Sequence, residues 1–224
     1  MVDLIKRANY IRDTFAPTDD ILDNIEARIH AETDPIYLRA EDAKILEFLI
    51  KLGDVKTIVE IGTLAGYSTT WMARALPDDG HIYTMERDQK RADMARMTFK
   101  EADIDHKVSL HQGLALDELK KIEDKGPFDM IFIDADKHNY LNYLDWAIAN
   151  VCDGGLVIGD NTFLFESVYL GIEEASKHVP NKLRPTTCIQ MREFNQKLAD
   201  HPDFTAIMLS TKEGMTVAYK NETQ

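Results

Sequence analysis

The sequence predicts an α/β fold: a mostly parallel sheet with helices on both faces, an antiparallel hairpin at its end and a helical extension before it. Three observations predict it. Residues 1 to about 53 carry apolar residues at helical spacing. From Thr57 onward, short runs rich in Val and Ile alternate with helix-length stretches. Two final apolar runs flank a glycine-containing turn.

Taken in order, Pro17 with Asp19 and Asp20 opens a helix running to about Thr33, with Ile21, Leu22, Ile25 and Ile29 on one face. Another follows Pro35, carries Ala43, Leu46, Leu49 and Ile50, and ends at Gly53. The strands are TIVEI (57–61), HIYTM (81–85), KVSLH (107–111), FDMIFI (128–133) and GLVIGD (155–160). Helical stretches at 66–76, 88–102, 114–123 and 139–150 separate them. The one from Asp88 has a capping residue and an apolar face of Ala92, Ala95, Phe99 and Ala102. Such alternation implies right-handed crossovers and a parallel sheet. FTAIMLS (204–210), the turn TKEG and MTVAYK (215–220) form the hairpin, which makes the sheet a Rossmann-like variant. Low-complexity tracts and repeats are absent, NYLNYL being a local echo within one helix. The 224 residues read as a single domain, a helical extension over 1–53 and a core over 54–224.

Composition excludes more than it names. Hydrophobic residues make up 44% of the chain, enough for a core, and the net charge is −13. A pI near 4.9 opposes a nucleic-acid groove, which needs clustered Lys and Arg, and disfavours an anionic membrane surface. Cys152 and Cys188 have no CxxC spacing, so reduced thiols in an intracellular protein are expected. The start, MVDLIKRANYIRD, lacks the unbroken apolar run of a signal peptide, and no membrane span is expected. The expected location is the cytoplasm.

VEIGTLAGYS (59–68) joins the first strand to its helix. Gly62 and Gly66 let the backbone turn tightly and approach a ligand, and Ser68 sits near a helix start that favours an anion. The spacing is GxxxG, not the GxGxxG that fits a dinucleotide pyrophosphate. Glu60 lies just before the turn. Glu86 closes the second strand, where a carboxylate accepts ribose hydroxyls; alternatively it is a solvated strand-end acid. HQGLAL (111–116) follows the third strand and would border an adenine. An adenosine ligand with an amino-acid-like tail suits this set better than a pyrophosphate.

FIDADKHNY (132–140) places Asp134, Asp136 and Lys137 directly after a buried run. Asp160 and Asn161 end the fifth strand, and in a parallel sheet those two strand ends can be neighbours. Asp134, Asp160 and the Asn161 amide oxygen would give three hard ligands suited to Mg²⁺, Mn²⁺ or Ca²⁺. Zinc fits less well, because the seven histidines are scattered. Massed carboxylates disfavour each other's ionisation, a tension that a divalent cation resolves. The alternative is helix capping by Asp136 or Asp160. Lys137 is a salt-bridge partner or, beside a metal and a cationic cofactor, a candidate proton acceptor.

EIGTLAGYS, FDMIFIDADKHNYLNY and GGLVIGDN together resemble the cation-dependent S-adenosylmethionine O-methyltransferases of class I, the group of caffeoyl-CoA and catechol O-methyltransferases and many bacterial relatives. The resemblance covers about residues 38 to 220 and implies the class I methyltransferase sheet. It implies that Glu60, Gly62, Thr63 and Ser68 line the methionine part of the cofactor, that Glu86 holds its ribose and that Ala115 contacts its adenine. Asp134, Asp160 and Asn161 would bind the metal, Asp134 also bordering the cofactor. Lys137 matches the proposed base of the catechol enzyme, acting with Asp134, and Asp136 a position that approaches substrate. RAEDAK (39–44) replaces the family's usual SPEEGQ. After Asp160-Asn161, Phe163, Leu164, Phe165 and Glu166 replace a tryptophan and a small or amide residue, in a stretch to Gln190 that is longer than usual.

The implied reaction is direct methyl transfer to a catechol-type or other vicinal-dihydroxy aromatic. The metal would act as Lewis acid and template, and Lys137 would take the proton. Phe163, Phe165 and Tyr169 would stack on the acceptor or, alternatively, pack a covering helix. A small-molecule substrate and a homodimer are the expected partners, with neither nucleic acid nor membrane. A nicotinamide-dependent Rossmann dehydrogenase and a non-catalytic S-adenosylmethionine-binding protein are the rival readings.

Overall fold

The computed structural model of the protein describes residues 4–32, 36–178 and 186–222. They fall into two compact units, Met1–Glu118 and Leu119–Gln224.

The first unit opens with α1 (Leu4–Phe15), α2 (Asp20–Glu32) and α3 (Ala40–Leu52). It continues through β1 (Thr57–Ile61), α4 (Tyr67–Ala75), β2 (His81–Glu86), α5 (Gln89–Glu101) and β3 (Val108–Gln112) to α6 (Ala115–Lys120), within which the division falls. The strands pair in the order β3-β2-β1, all parallel, with Ile61 beside Met85 and Glu86 beside Gln112. Ile58, Val59 and Ile61 are fully buried, as expected of a parallel strand covered on both sides. Each such side chain stabilises the fold by about 1.5–3 kcal/mol. The extension is tied down unevenly. On α2, Leu22, Ile25 and Ile29 are buried, and Arg28 reaches both oxygens of Glu101 on α5, at 2.9 and 2.6 Å, and Thr98 Oγ1 at 3.1 Å. By contrast α1 leaves Ile5, Tyr10 and Phe15 exposed.

The second unit comprises β4 (Phe128–Ile133), α7 (Tyr140–Asn150), β5 (Val151–Asp160), α8 (Ile172–His178), α9 (Thr186–Ala199), β6 (Phe204–Leu209) and β7 (Met215–Lys220). β4 and β5 are parallel, β5 and β7 antiparallel, and β6 completes the hairpin with β7. The predicted mostly parallel sheet with an antiparallel C-terminal hairpin is therefore present.

The differences from expectation are local. Thr33 and Pro35, where one helix was expected to end and another to start, lie outside the described residues. β5 begins at Val151 rather than Gly155, because its register against β4 shifts between Phe128 and Met130 and Gly154 takes φ 78° within the irregularity. α3 ends at Gly53 as predicted, but Gly53 has φ −92° and the left-handed residue is Asp54, φ 49°. α6 stops at Lys120, short of 123, and β2 runs one residue further, to Glu86. Asp88 caps α5 as expected, accepting from Arg91 N at 3.0 Å. The first strand of the hairpin, β6, ends at Leu209, one residue short of Ser210. No helix among the described residues is long and apolar enough to cross a membrane.

Candidate active site

In the first unit the predicted cofactor residues gather at the carboxyl ends of β1, β2 and β3. Glu60 is fully buried and both of its oxygens are engaged. Ser68 Oγ donates to one at 2.5 Å, while Thr69 Oγ1 and Thr84 Oγ1 donate to the other at 2.5 and 2.6 Å. Hydrogen bonds to a carboxylate are roughly twice as strong as neutral ones, so this set fixes the start of α4 against β1 and β2. Thr63, 1% exposed, shares a hydrogen bond with Thr84 at 2.6 Å. Gly62 takes φ 112°, a conformation open to glycine. Gly66 takes φ 85°, the left-handed turn expected of it. A Cβ there would also stand 2.6 Å from the Phe99 ring, so packing as well as the turn demands this glycine.

Glu86 is 7% exposed, which rules out the solvated alternative. One of its oxygens accepts Leu64 N from the glycine turn and the other accepts Asp88 N, each at 2.9 Å. A carboxylate oxygen has two lone pairs, so both keep capacity for the hydroxyls of a diol. Ala115 is the first residue of α6, after Gly113 and the exposed Leu114.

In the second unit the strand register answers the question about the acids. Ile133 pairs with Gly159, so the next residues, Asp134 and Asp160, fall side by side at the tips of parallel β4 and β5, where paired residues face the same side. Asp160 is 3% exposed. Asn161 adopts φ 55° and its Nδ2 donates to Asp160 Oδ2 at 3.0 Å. Coordination would take the amide oxygen, which a half-turn about χ2 delivers. No helix begins at Asp160, so the capping alternative fails there. Two carboxylates and an amide oxygen at adjacent strand ends fit a hard divalent cation.

Lys137 Nζ donates to Asp134 Oδ1 at 3.1 Å and to Tyr140 Oη at 2.6 Å. Tyr140 is fully buried, and its hydroxyl also lies 3.1 Å from the Ile133 carbonyl and 2.9 Å from that of Asp160. Burial, then the nearby Asp134 and Asp160 charges, raises the phenol well above its ordinary pKa. Asp136 turns to its own neighbours, accepting from Tyr143 Oη at 2.7 Å and Asn139 Nδ2 at 2.6 Å, with His138 Nε2 3.0 Å away. Sequence reasoning missed Tyr140 and Tyr143. The NYLNYL run, read as an echo, sets both hydroxyls on the face of α7 that meets the charged cluster, and the i, i+3 spacing was its signal.

From Asn161 to Leu170 the chain is a series of turns rather than a helix, and α8 begins only at Ile172. Leu164, Phe165 and Glu166 take φ of 44°, 55° and 62°, and each left-handed L residue costs roughly 1–2 kcal/mol. Anchors at both ends hold it. Thr162 N and Phe163 N donate to Gly214 O and Glu213 O of the hairpin turn, and Cys188 Sγ and Arg192 Nη2 of α9 donate to Ser167 O. Phe163 meets Tyr169 edge-on at 6.3 Å, and Phe165 is 43% exposed.

Residues 14–221 match the O-methyltransferase family model. The chain is 41% identical over 156 residues to a catechol O-methyltransferase of Niastella koreensis, covering 68% of this chain and 71% of the relative. It is 35% identical over 182 residues to a caffeoyl-CoA O-methyltransferase of Medicago sativa, covering 80% and 72%. Among solved structures, the O-methyltransferase from Bacillus cereus in complex with SAH is 32% identical, with a TM-score of 0.85 and coverage of 96% and 97%. These matches displace the nicotinamide dehydrogenase reading. The chain belongs to the O-methyltransferase family.

Proposed function

We propose that all 224 residues work as one methyltransferase domain in the cytoplasm. It would move the methyl group of S-adenosylmethionine to a hydroxyl of a catechol-type or other vicinal-dihydroxy aromatic. The catechol and caffeoyl-CoA O-methyltransferases among its relatives support that acceptor class. The observation that carries the reading is the register that sets Asp134 beside Asp160 with Lys137 3.1 Å from Asp134.

Glu86, with its spare lone pairs, accepts the ribose hydroxyls, and Glu60, Gly62, Thr63 and Ser68 border the methionine part. Ala115 borders the adenine. Asp134, Asp160 and Asn161 hold a divalent cation, Mg²⁺ first and Mn²⁺ or Ca²⁺ as alternatives. Bound there, such an ion supplies Lewis acidity and a template for two vicinal oxygens. Lys137, an ammonium in the resting site, would first release a proton to solvent when the cation and the sulfonium are bound beside it, and as the neutral amine would then receive the acceptor's proton. Asp136 borders the acceptor; Phe163 and Phe165 lie against its ring, their turns held rigid by the hairpin and α9. In-line positioning supplies much of the acceleration, with effective molarities up to roughly 10⁵–10⁸ M in favourable cases.

A homodimer belongs to the same proposal. Apolar Ile5, Tyr10 and Phe15 are exposed on α1 beside Lys6, Arg7 and Arg12, in a chain of net charge −13 that would attract such a helix. Sedimentation of the wild type and of an Ile5→Glu/Phe15→Glu variant tests it. Methylation of catechols, flavonoids and acyl-CoA phenols, assayed on chelated protein and after return of Mg²⁺, Mn²⁺ or Ca²⁺, tests the reaction. Equal turnover with chelator present throughout would remove the metal from the reading.

A further inference from the structure

Tyr140 stands out among the buried polar groups because its hydroxyl has three partners on three parts of the chain: the Ile133 carbonyl, the Asp160 carbonyl and Lys137 Nζ. The two carbonyls can accept only, so the single phenolic proton goes to them, and the oxygen must accept from the lysine. That fixes the direction of every bond in the group. Because Ile133 and Asp160 end β4 and β5, one hydroxyl ties together both strand tips and the ammonium. The ring cannot wander, being fully buried with the Phe194 ring edge-on at 5.3 Å. Phe194 in turn fills the space above Gly159, where a Cβ would stand 2.7 Å from its ring.

We propose that Tyr140 is a positioning residue of the reaction: its hydroxyl aims Lys137 and locks the strand tips that carry Asp134 and Asp160. Lys137 has four rotatable bonds and needs a second contact to hold one direction. Asp134 supplies one at 3.1 Å and Tyr140 the other at 2.6 Å. This inference rests on the proposed function for what Lys137 does, but not for how Lys137 is held.

Tyr140→Phe removes the oxygen and keeps the ring. With catechol and Mg²⁺, kcat should fall about 10- to 100-fold, the range typical when a partner that orients a ligand or catalytic group is lost, while KM for catechol changes less than about threefold. A hydroxyl that acts through Lys137 should have little left to contribute once the lysine is gone. Lys137→Ala and the double variant should therefore have nearly equal rates, whereas a merely structural hydroxyl would give additive losses. A second readout needs no turnover. In ¹⁵N-labelled protein without metal, the Lys137 ammonium should give a slowly exchanging resonance, assigned by its absence in Lys137→Ala and broadened away in Tyr140→Phe. Additive losses, an unchanged rate in Tyr140→Phe, or an ammonium resonance missing from the wild type or unaltered in the variant would each overturn the proposal. A wild type inactive on catechols with every metal would instead count against the proposed function, and the resonance would still decide about Tyr140.

Discussion

Glu60 on β1 and Asp134 after β4 are both acids near the carboxyl ends of buried parallel strands, and their surroundings differ in kind. Around Glu60, hydroxyls of Ser68, Thr69 and Thr84 occupy both carboxylate oxygens. Asp134 and Asp160 each follow the paired residues Ile133 and Gly159 at adjacent strand tips, with the Lys137 ammonium 3.1 Å from Asp134 and the Asn161 amide donating to Asp160. The first arrangement completes itself and serves to shape a turn. The second masses like charge, which folding alone does not reward, and this is the contrast on which the proposed cation site rests.

The largest test removes an acid of the proposed cation site. Asp160→Ala should cut metal-dependent turnover by more than about 100-fold, since even outer partners of metal ligands cost roughly 10–100-fold. Affinity for S-adenosylmethionine, measured by calorimetry, should stay largely intact. Residual turnover that is unchanged by chelation would place the metal elsewhere. The complementary change, Glu60→Ala, should instead cost stability. Losing charge-assisted hydrogen bonds costs about 1.5–3 kcal/mol each, and with partial relaxation a loss on the order of 3 kcal/mol is expected. For a chain of this size that lowers Tm by roughly 6–12 °C. A Tm within about 2 °C of wild type would show that Glu60 is not the latch described.

The two regions were unequally legible in sequence. Strands such as TIVEI and FDMIFI match β1 and β4 residue for residue, because a continuous apolar run bounded by polar residues has few other ways to be buried. The juxtaposition of Asp134 with Asp160 was also legible, since topology alone brings parallel strand tips together. Hydrogen-bond partners were not. Nothing in the chain order says that Thr84, 24 residues away, reaches Glu60, or that the Tyr140 hydroxyl spans two strand ends. The tight turn at Gly66 was legible, but its second constraint was not, because Phe99 is 33 positions distant in sequence and steric demands of that range leave no local pattern. The start of β5 was misplaced because Asp153-Gly154-Gly155 reads as a turn, whereas the strand carries it as an irregularity. The left-handed run at Leu164–Glu166 had no glycine to announce it.

Gly66 gives a middle-sized test of the same contrast. Gly66→Ala combines a left-handed φ with a Cβ 2.6 Å from Phe99 and should destabilise by about 1–3 kcal/mol. Adding Phe99→Leu removes the ring that clashes and should recover part of the loss, leaving about 1 kcal/mol from the backbone conformation. If the double variant is no better than the single, the glycine is required by something other than Phe99.

The smallest effect concerns an acid that belongs entirely to the fold. Asp19 accepts Leu22 N at 3.0 Å as the cap of α2, and Arg74 Nη1 stands 2.9 Å from its other oxygen. Burial works to raise its pKa, but the Leu22 hydrogen bond and then Arg74 outweigh it, and the net direction is down from 3.8. The folded value lies below the unfolded one. Its contribution is therefore complete above about pH 4 and is lost as pH falls through the lowered value. Asp19→Asn keeps an accepting oxygen for the cap and discards the charge, so it isolates the Arg74 part. That side chain is 54% exposed, and solvent and salt screen the pair, so the variant should lose less than about 1 kcal/mol at pH 7. The difference should shrink in melts as pH is lowered below about 4 and shrink with added salt at neutral pH. Divalent cation should not alter it, whereas melts of Asp160→Ala against wild type should differ more with Mg²⁺ present than absent, because an ion that binds the folded state stabilises it in proportion to its occupancy. A Mg²⁺-dependent difference at Asp19, or none at Asp160, would erase the distinction between an acid held by its own chain and one held for a ligand.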